Sequence, residues 1–324
     1  MFHATTGTKG DRGVRASRWP VAIAITIAAT WTLMVLGALT RAAEAGVACP
    51  DWPLCHGYVV PPLDQASYPP DASYLVGKVY LEFLHRALAA LVSVGAIAIA
   101  LGLWARNARA PALAVWAVLA VQVLAGAVTV WLRNAPYTVV VHLALALALL
   151  GLLLLSAEKL STTRPSSHPP RRVLLGTAIL AGLVALQMLV GSAVSSGGFG
   201  LACDGFPLCS GSLWPADWHP AVAWQMAHRA LGAVVLVAAL GVALAWWRAV
   251  GTRGGRGIAV LIAGAMLGEA LLGAVNVWLW IPPWASAAHL GLAAGLFGLL
   301  VRLAVPALAL GPSAAPGTVR PAAA

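Results

Sequence analysis

Charge is scarce in this sequence: Asp, Glu, Lys and Arg together make up 9% of its 324 residues, and only 10 are acidic. Apolar residues make up 60%, and the mean hydropathy is +0.86. A soluble chain of this length needs far more polar surface, so a soluble globular class is excluded. The alternation of a membrane barrel is missing too. Instead the apolar residues come in runs of about 20, the length at which a helix crosses the hydrocarbon core. In lipid, a helix satisfies the backbone polar groups of such runs internally.

The runs predict spans near 20–40, 81–104, 112–132, 137–157, 173–194, 224–247, 258–280 and 284–305. The first is long enough to cross the bilayer and leads into a loop that belongs to an internal repeat, so it is read as a span and not as a removable signal peptide. Acidic residues are so few that the net charge is +10, which invites a nucleic-acid reading. The distribution argues against one. Lys9 to Arg18, Arg106, Arg109, Lys159 to Arg172, Arg248 to Arg256, Arg302 and Arg320 fall on one side of the eight-span topology. The other side holds Arg41, Lys78 and Arg133. That is the positive-inside pattern, which places both termini in the cytoplasm of a multi-pass protein of the cell membrane. Anionic lipid of the bilayer, not nucleic acid, is the partner it implies.

Cysteine is sparse as well. Cys49 and Cys55, then Cys203 and Cys209, sit six residues apart in two long loops assigned to the outer face. Disulfides persist there, and each pair is placed to close a short loop. Those loops belong to a unit written twice. Residues 36–57 read LGALTRAAEAGVACPDWPLCHG and residues 190–211 read VGSAVSSGGFGLACDGFPLCSG, with Gly37 matching Gly191, Gly46 matching Gly200, and both cysteines, a proline and a glycine in register. HRAL at 85–88 recurs at 228–231, QVLAGAVTVW at 122–131 recurs as EALLGAVNVW at 269–278, and His142 matches His289. Each unit has four spans, an even number, so both copies enter the membrane in the same direction. The expected fold is an all-α integral membrane protein, with eight transmembrane helices forming two pseudo-symmetric four-helix bundles in parallel tandem repeat. The expected boundaries are a basic cytoplasmic tail at 1–19, bundles at 20–157 and 173–305, a Ser/Thr/Pro-rich linker at 158–172 and a tail at 306–324, with the ends 1–18 and 311–324 poorly ordered.

His85, His142, His228 and His289 each fall near the outer end of an even-numbered span. An ionisable residue inside a span needs a partner to offset its cost. One such histidine is readily a neutral hydrogen-bonding group between helices. Four of them, paired by the repeat and level in depth, suggest two bis-histidine haem sites, since bundles build cofactor sites from facing helices. Zinc would need further ligands, and the cysteines lie in loops away from the histidines. Arg86 and Arg229 directly follow the first histidine of each pair. They either snorkel to headgroups or meet haem propionates. Glu82 stands one turn before His85 and shares its face of the helix, whereas Gln225 holds that place in the second copy. An acid beside only one pocket suggests proton removal or a bond to substrate there, or else a buried carboxyl paired with Arg86 or His85. Gln122 and Glu269 are placed near mid-membrane, where Glu269 either relays a proton, tunes a haem or bonds a neighbouring helix. His56 and His219 read as solvated loop residues, and Trp52, Trp214 and Trp218 as interfacial anchors.

Gly37-x-x-Thr40-Arg41, CPDWPLCHG at 49–57, Glu82-x-x-His85-Arg86, and then His142, His228-Arg229 and His289 together resemble the haem A synthase family, over about residues 20–305. Members of that family oxidise the C8 methyl group of haem O to a formyl group, in steps through an alcohol and a hydrated aldehyde, giving haem A for terminal oxidases. The resemblance implies that His85 and His142 flank the iron of substrate haem O in the first bundle. It implies that His228 and His289 ligate a cofactor haem b in the second, and that the pairs Cys49–Cys55 and Cys203–Cys209 follow a Gram-positive-like pattern in which the first is implicated in activity. An electron acceptor and the haem O synthase are the further partners it suggests. Two other classes compete: a di-haem electron-transfer cytochrome, which gives no reason for Glu82 to oppose Gln225, and a transporter, for which broken helices and a polar pathway are lacking.

Overall fold

The computed structural model describes residues 9–160, 169–249 and 253–309. The expected tail residues 1–8 and 310–324, and residues 161–168 of the expected linker, lie outside them. Among the described residues eight α-helices follow one another: α1 (Lys9–Ala42), α2 (Val76–Trp104), α3 (Arg109–Trp131), α4 (Pro136–Leu160), α5 (Arg171–Ser196), α6 (Pro220–Ala249), α7 (Arg253–Trp278) and α8 (Pro283–Ala309). All eight are long and apolar enough to span a bilayer, α1 from Pro20 onward. The chain is a multi-pass membrane protein.

Helix ends follow local chemistry. α4, α6 and α8 open on Pro136, Pro220 and Pro283, a residue that suits the first turn because its missing N–H has no intrahelical acceptor to lose. α2 and α6 start several residues earlier than their apolar runs, so these helices project beyond the apolar stretch into the loops. α1 begins at Lys9, well ahead of its apolar run. Residues expected in the N-terminal tail are thus helical.

In the first half, α1 packs on α2, α2 on α3, α3 on α4, and α4 back on α1. In the second, α5 to α8 close the same ring. The halves join where α1 meets α8, α4 meets α5 and α4 meets α8. A continuous apolar core runs through that seam, with Met34, Leu150 and Leu154 from the first half among Val184, Ile262 and Leu300 of the second. The seam also has specific contacts: Trp31 Nε1 donates to the Gly291 carbonyl at 2.8 Å, and an added methyl at Gly291 would stand 2.9 Å from Val35. Small residues that let membrane helices approach closely replace the hydrophobic driving force that lipid does not supply.

The two long loops are folded alike. In each the cysteines are joined, Cys49 to Cys55 and Cys203 to Cys209, and all four sulfur-bearing residues are buried. Each loop has a cis proline, Pro53 or Pro207, and an isolated bridge, Cys55 with Tyr58 or Cys209 with Ser212. The duplication seen in the sequence is thus present in the backbone.

Candidate functional site

Each histidine follows the start of its helix by a similar distance: His85 is nine residues after Val76, His228 eight after Pro220, and His142 and His289 six after Pro136 and Pro283. At 1.5 Å per residue that puts all four within about 9–14 Å of a helix end on the loop side. α2 and α4 face each other across the first ring, which brings His85 and His142 near one another between them. His228 on α6 and His289 on α8 are likewise near one another in the second.

Every imidazole is seated on a glycine of the adjacent helix. A methyl added at Gly37 of α1 would stand 3.0 Å from His85 Nε2, and one at Gly191 of α5 would stand 2.8 Å from His228 Cε1. At Gly126 of α3 it would stand 3.2 Å from His142 Cε1, and at Gly273 of α7 3.5 Å from His289 Cε1. The absence of a Cβ lets each of these four rings approach the neighbouring backbone closely. Gly126 and Gly273 were not singled out from the sequence, although both lie within the repeated decapeptide; the signal was a glycine kept in register with a histidine.

The surroundings of the two pairs differ. His289 Nδ1 lies 2.7 Å from Glu269 Oε2, and the Glu269 side chain is buried. The His228 Nδ1 lies 3.1 Å from Gln187 Nε2, which also donates to the His228 carbonyl at 3.0 Å. At the matching places the first copy has Gln122 for Glu269 and Leu33 for Gln187. There His142 Nδ1 is buried with no side-chain partner, and so is Gln122 Oε1. A cavity of about 30 Å³ separates Gln187 from Glu269, lined otherwise by apolar side chains such as Val184 and Met266.

The residues beside the first histidine of each pair tie the loops down. Glu82 is buried. Its Oε2 accepts the Cys49 N–H at 2.8 Å, and its Oε1 pairs with Arg86 at 2.6 Å. The Arg86 guanidinium also donates to the carbonyls of Asp51 and Leu54 at 2.6 Å and of Cys49 at 2.8 Å. Arg229 repeats this against Leu208 and Gly205 at 2.9 Å and Pro207 at 3.2 Å. Both arginines thus point into their cysteine loops. Gln225 differs from Glu82: its Nε2 donates to the Gly200 carbonyl at 2.8 Å.

The first loop is further organised by Asp51, which sequence reasoning passed over. Its carboxylate accepts the His56 N–H at 2.6 Å and the Gly57 N–H at 2.7 Å. Partial burial pushes its pKa up, but those N–H groups and the Arg86 charge outweigh burial and hold it below the ordinary 3.8. Stability from this anchor is therefore present above that value and lost only as pH falls through the lower folded-state pKa. His56 is not a solvated residue: its Nε2 lies 2.8 Å from the Ala48 carbonyl and its ring meets Tyr68 and Tyr74 edge-on. His219 is exposed. Trp52 packs on Trp131, and Trp214 on Trp218.

The seats suit a porphyrin. Each half offers two opposed imidazoles, and among the described residues no cluster of three or more His, Cys, Asp or Glu side chains is gathered as zinc would require. Paired imidazoles on facing helices, each against a glycine, are a donor set that would hold a haem, His85 with His142 in one half and His228 with His289 in the other.

Comparison with known proteins bears on this geometry. Residues 20–301 match the profile of the cytochrome oxidase assembly protein family. The chain is 29% identical over 315 residues to the haem A synthase of Shewanella oneidensis, covering 86% of this chain and 93% of that one. It is 30% identical over 248 residues to the haem A synthase of Symbiobacterium thermophilum, covering 70% and 74%, and 26% identical over 316 residues to that of Geobacillus thermodenitrificans, covering 91% and 92%.

Proposed function

The chain belongs to the cytochrome oxidase assembly protein family that contains the haem A synthases, and from that premise we propose a division of labour in which the first bundle works on haem O and the second retains a haem b. The protein is a membrane oxidoreductase of haem A biosynthesis: haem O is its substrate and haem A its product. Taking a methyl group to a formyl group with water as the oxygen source releases four electrons and four protons. The protein's part is to orient the substrate, accept protons and let electrons leave, while the haem iron supplies the redox chemistry.

One observation supports the division: among the described residues, polar side chains stand against Nδ1 of both second-bundle histidines, Glu269 Oε2 at 2.7 Å and Gln187 Nε2 at 3.1 Å, whereas His142 Nδ1 has none. A carboxylate that accepts an Nδ1–H fixes ring orientation and strengthens a metal ligand, and Glu269 is placed to do so for His289, while the Gln187 amide orients the His228 ring. These contacts favour the second bundle as the one that keeps a haem. His85 and His142 have weaker support, as suits a site that must exchange substrate for product. Glu82 is the carboxylate nearest the first pair in sequence, held one turn from His85 by Arg86 and the Cys49 N–H, and we assign it the role of proton acceptor. Through that same N–H, the Cys49–Cys55 disulfide sets the position of Glu82. The burial of Cys49 and Cys55 favours this structural contribution over thiol exchange with a soluble partner. The placement of both termini in the cytoplasm and of the cysteine loops outside follows from the charge distribution. An electron acceptor and a docked haem O synthase complete the proposed partners.

The test is to purify the full chain in detergent, supply haem O, and extract the haems for chromatography. Firmly held haem b together with haem O or haem A is expected. Two equivalents of haem b, with neither of the others, would instead support the electron-transfer cytochrome.

Glu269→Gln gives a second check with a spectroscopic readout. A carboxylate against His289 Nδ1 adds negative charge to the ligand and favours ferric iron. Its removal is expected to raise the midpoint potential of the retained haem by about 60 mV, the equivalent of a tenfold change for one electron. Haem content should not change. An unmoved potential in redox titration would mean that Glu269 is only a helix-to-helix contact.

A further inference from the structure

On the loop side, charge balance had placed three cations, Arg41, Lys78 and Arg133, apart from the two arginines that follow histidines. Arg86 and Arg229, the obvious partners for haem carboxylates, are engaged with loop carbonyls. Two of the remaining cations meet in one cavity. Arg41, Glu44, Val47, Arg133 and Asn134 line a space of about 220 Å³, formed by the end of α1, the loop after it and the turn between α3 and α4.

Helical register ties this cavity to the histidine seats. Arg41 follows Gly37, the seat of His85, by four residues, so both lie on one face of α1 with Arg41 a turn nearer the loops. Arg133 lies two residues past the end of α3, in the turn that follows, so it stands on the loop side of Gly126, the seat of His142. The axial imidazoles come from α2 and α4. A flat group held between them would have Arg41 and Arg133 on its loop side, at the ends of the other diagonal pair, α1 and α3. Asn134 packs onto Gly46, where an added methyl would meet its Nδ2 at 2.7 Å.

Both arginines keep donating capacity. One Arg41 nitrogen donates to the Ser195 carbonyl at 3.0 Å, but its Nε is buried without a partner. Arg133 has no ion pair among the described residues, and its φ of 49° fixes it in a left-handed turn. The one carboxylate lining the cavity, Glu44, is largely exposed and lies 3.9 Å from Lys78. The second copy has Ser195 and Trp280 at the places of Arg41 and Arg133, so it has no counterpart.

We propose that Arg41 and Arg133 form a carboxylate clamp at the loop-side rim of the first bundle, which receives the two propionates of the haem substrate and is absent from the second bundle. The clamp rests on the assignment of the first bundle to substrate. Guanidinium–carboxylate pairs are charge-assisted and directional, so they both attract the macrocycle and set which edge enters last. The second bundle, with Ser195 and Trp280 at these places, would hold its haem without such a clamp.

The experiment titrates the purified full chain, already carrying its retained haem, with ferric haem b and separately with its dimethyl ester, and follows second-site uptake optically. The wild type is expected to bind the free acid at least about tenfold more tightly than the diester. Arg41→Gln with Arg133→Gln should lose that preference by weakening the acid alone, Arg41→Lys with Arg133→Lys should restore part of it, and the retained haem spectrum should report an intact fold throughout. If wild type and the double glutamine variant take up the acid equally well, the clamp is overturned while the substrate assignment stands. If the wild type takes up no second haem, the substrate assignment fails and the clamp with it. Native mass spectrometry adds a further arm. A phospholipid lost from the double glutamine variant with haem uptake unchanged would assign the arginines to a lipid headgroup and also overturn the proposal.

Discussion

His228→Ala or His289→Ala is expected to yield a folded membrane protein that has lost the spectrum of its stable haem b, whereas His85→Ala and His142→Ala leave that spectrum intact. On the proposed assignment each substitution would remove one of the two histidines that hold the iron, and alanine offers nothing in its place. The surroundings cannot compensate. His228 lies against Gly191, and its Nδ1 partner is Gln187; His289 lies against Gly273, with Glu269 behind it. Loss of such second partners alone commonly costs 10- to 100-fold in metal affinity, so loss of the ligand itself is expected to cost more. The measurement is the reduced-minus-oxidised spectrum of purified protein, with extracted haem quantified alongside. An unaltered haem b spectrum in both second-bundle variants would reverse the assignment of the bundles. Gly191→Val gives a milder version, because its Cβ would stand 2.8 Å from the His228 ring and force it off its seat.

Much of this architecture was legible because lipid removes alternatives. Apolar runs of spanning length must be helices, and a duplication must repeat its packing, so eight spans and two rings followed from the sequence. The histidines were legible for the same reason, since an imidazole in a span requires a partner. The direction of side chains between helices was not. Arg86 and Arg229 read as haem or headgroup contacts because a cation follows each histidine. The fold turns them into the cysteine loops, where backbone carbonyls that strand or helix would have satisfied need donors. His56 read as a loop residue in water for want of any periodicity around it. Its role depends on Tyr68 and Tyr74, residues far enough along the loop that only its closure brings them together. Gly126 and Gly273 were hidden in apolar helices rich in glycine and alanine. What separates them from other glycines is the ring lying against them.

The asymmetry of the two copies is the feature with most consequence for chemistry, and Glu82→Gln tests it directly. The substitution recreates the residue type of the second copy, where Gln225 sits in an intact fold and donates to the Gly200 carbonyl. The helix and the second bundle are therefore expected to survive, with haem b retained. At its own site glutamine fits badly. Glu82 receives two donors, the Cys49 N–H and Arg86, and an amide has one oxygen to offer them and must turn an NH2 toward the other. Arg86 loses its counter-charge, and the loop holding Cys49 and Cys55 loses an anchor. On the proposed assignment the change also removes the carboxylate that would take protons as the methyl group is oxidised. Loss of a positioned base typically costs 10²–10⁴-fold, so haem A formation is expected to fall by at least about 100-fold while haem O still binds. Glu82→Asp, which keeps the charge on a shorter arm, should recover part of the rate. The decisive comparison is product formation against haem O occupancy in the same preparation. If both fall together and aspartate rescues neither, Glu82 holds the loop and takes no part in proton transfer. If turnover alone falls, the carboxyl that distinguishes the first bundle from the second is the group that makes one of them a catalyst.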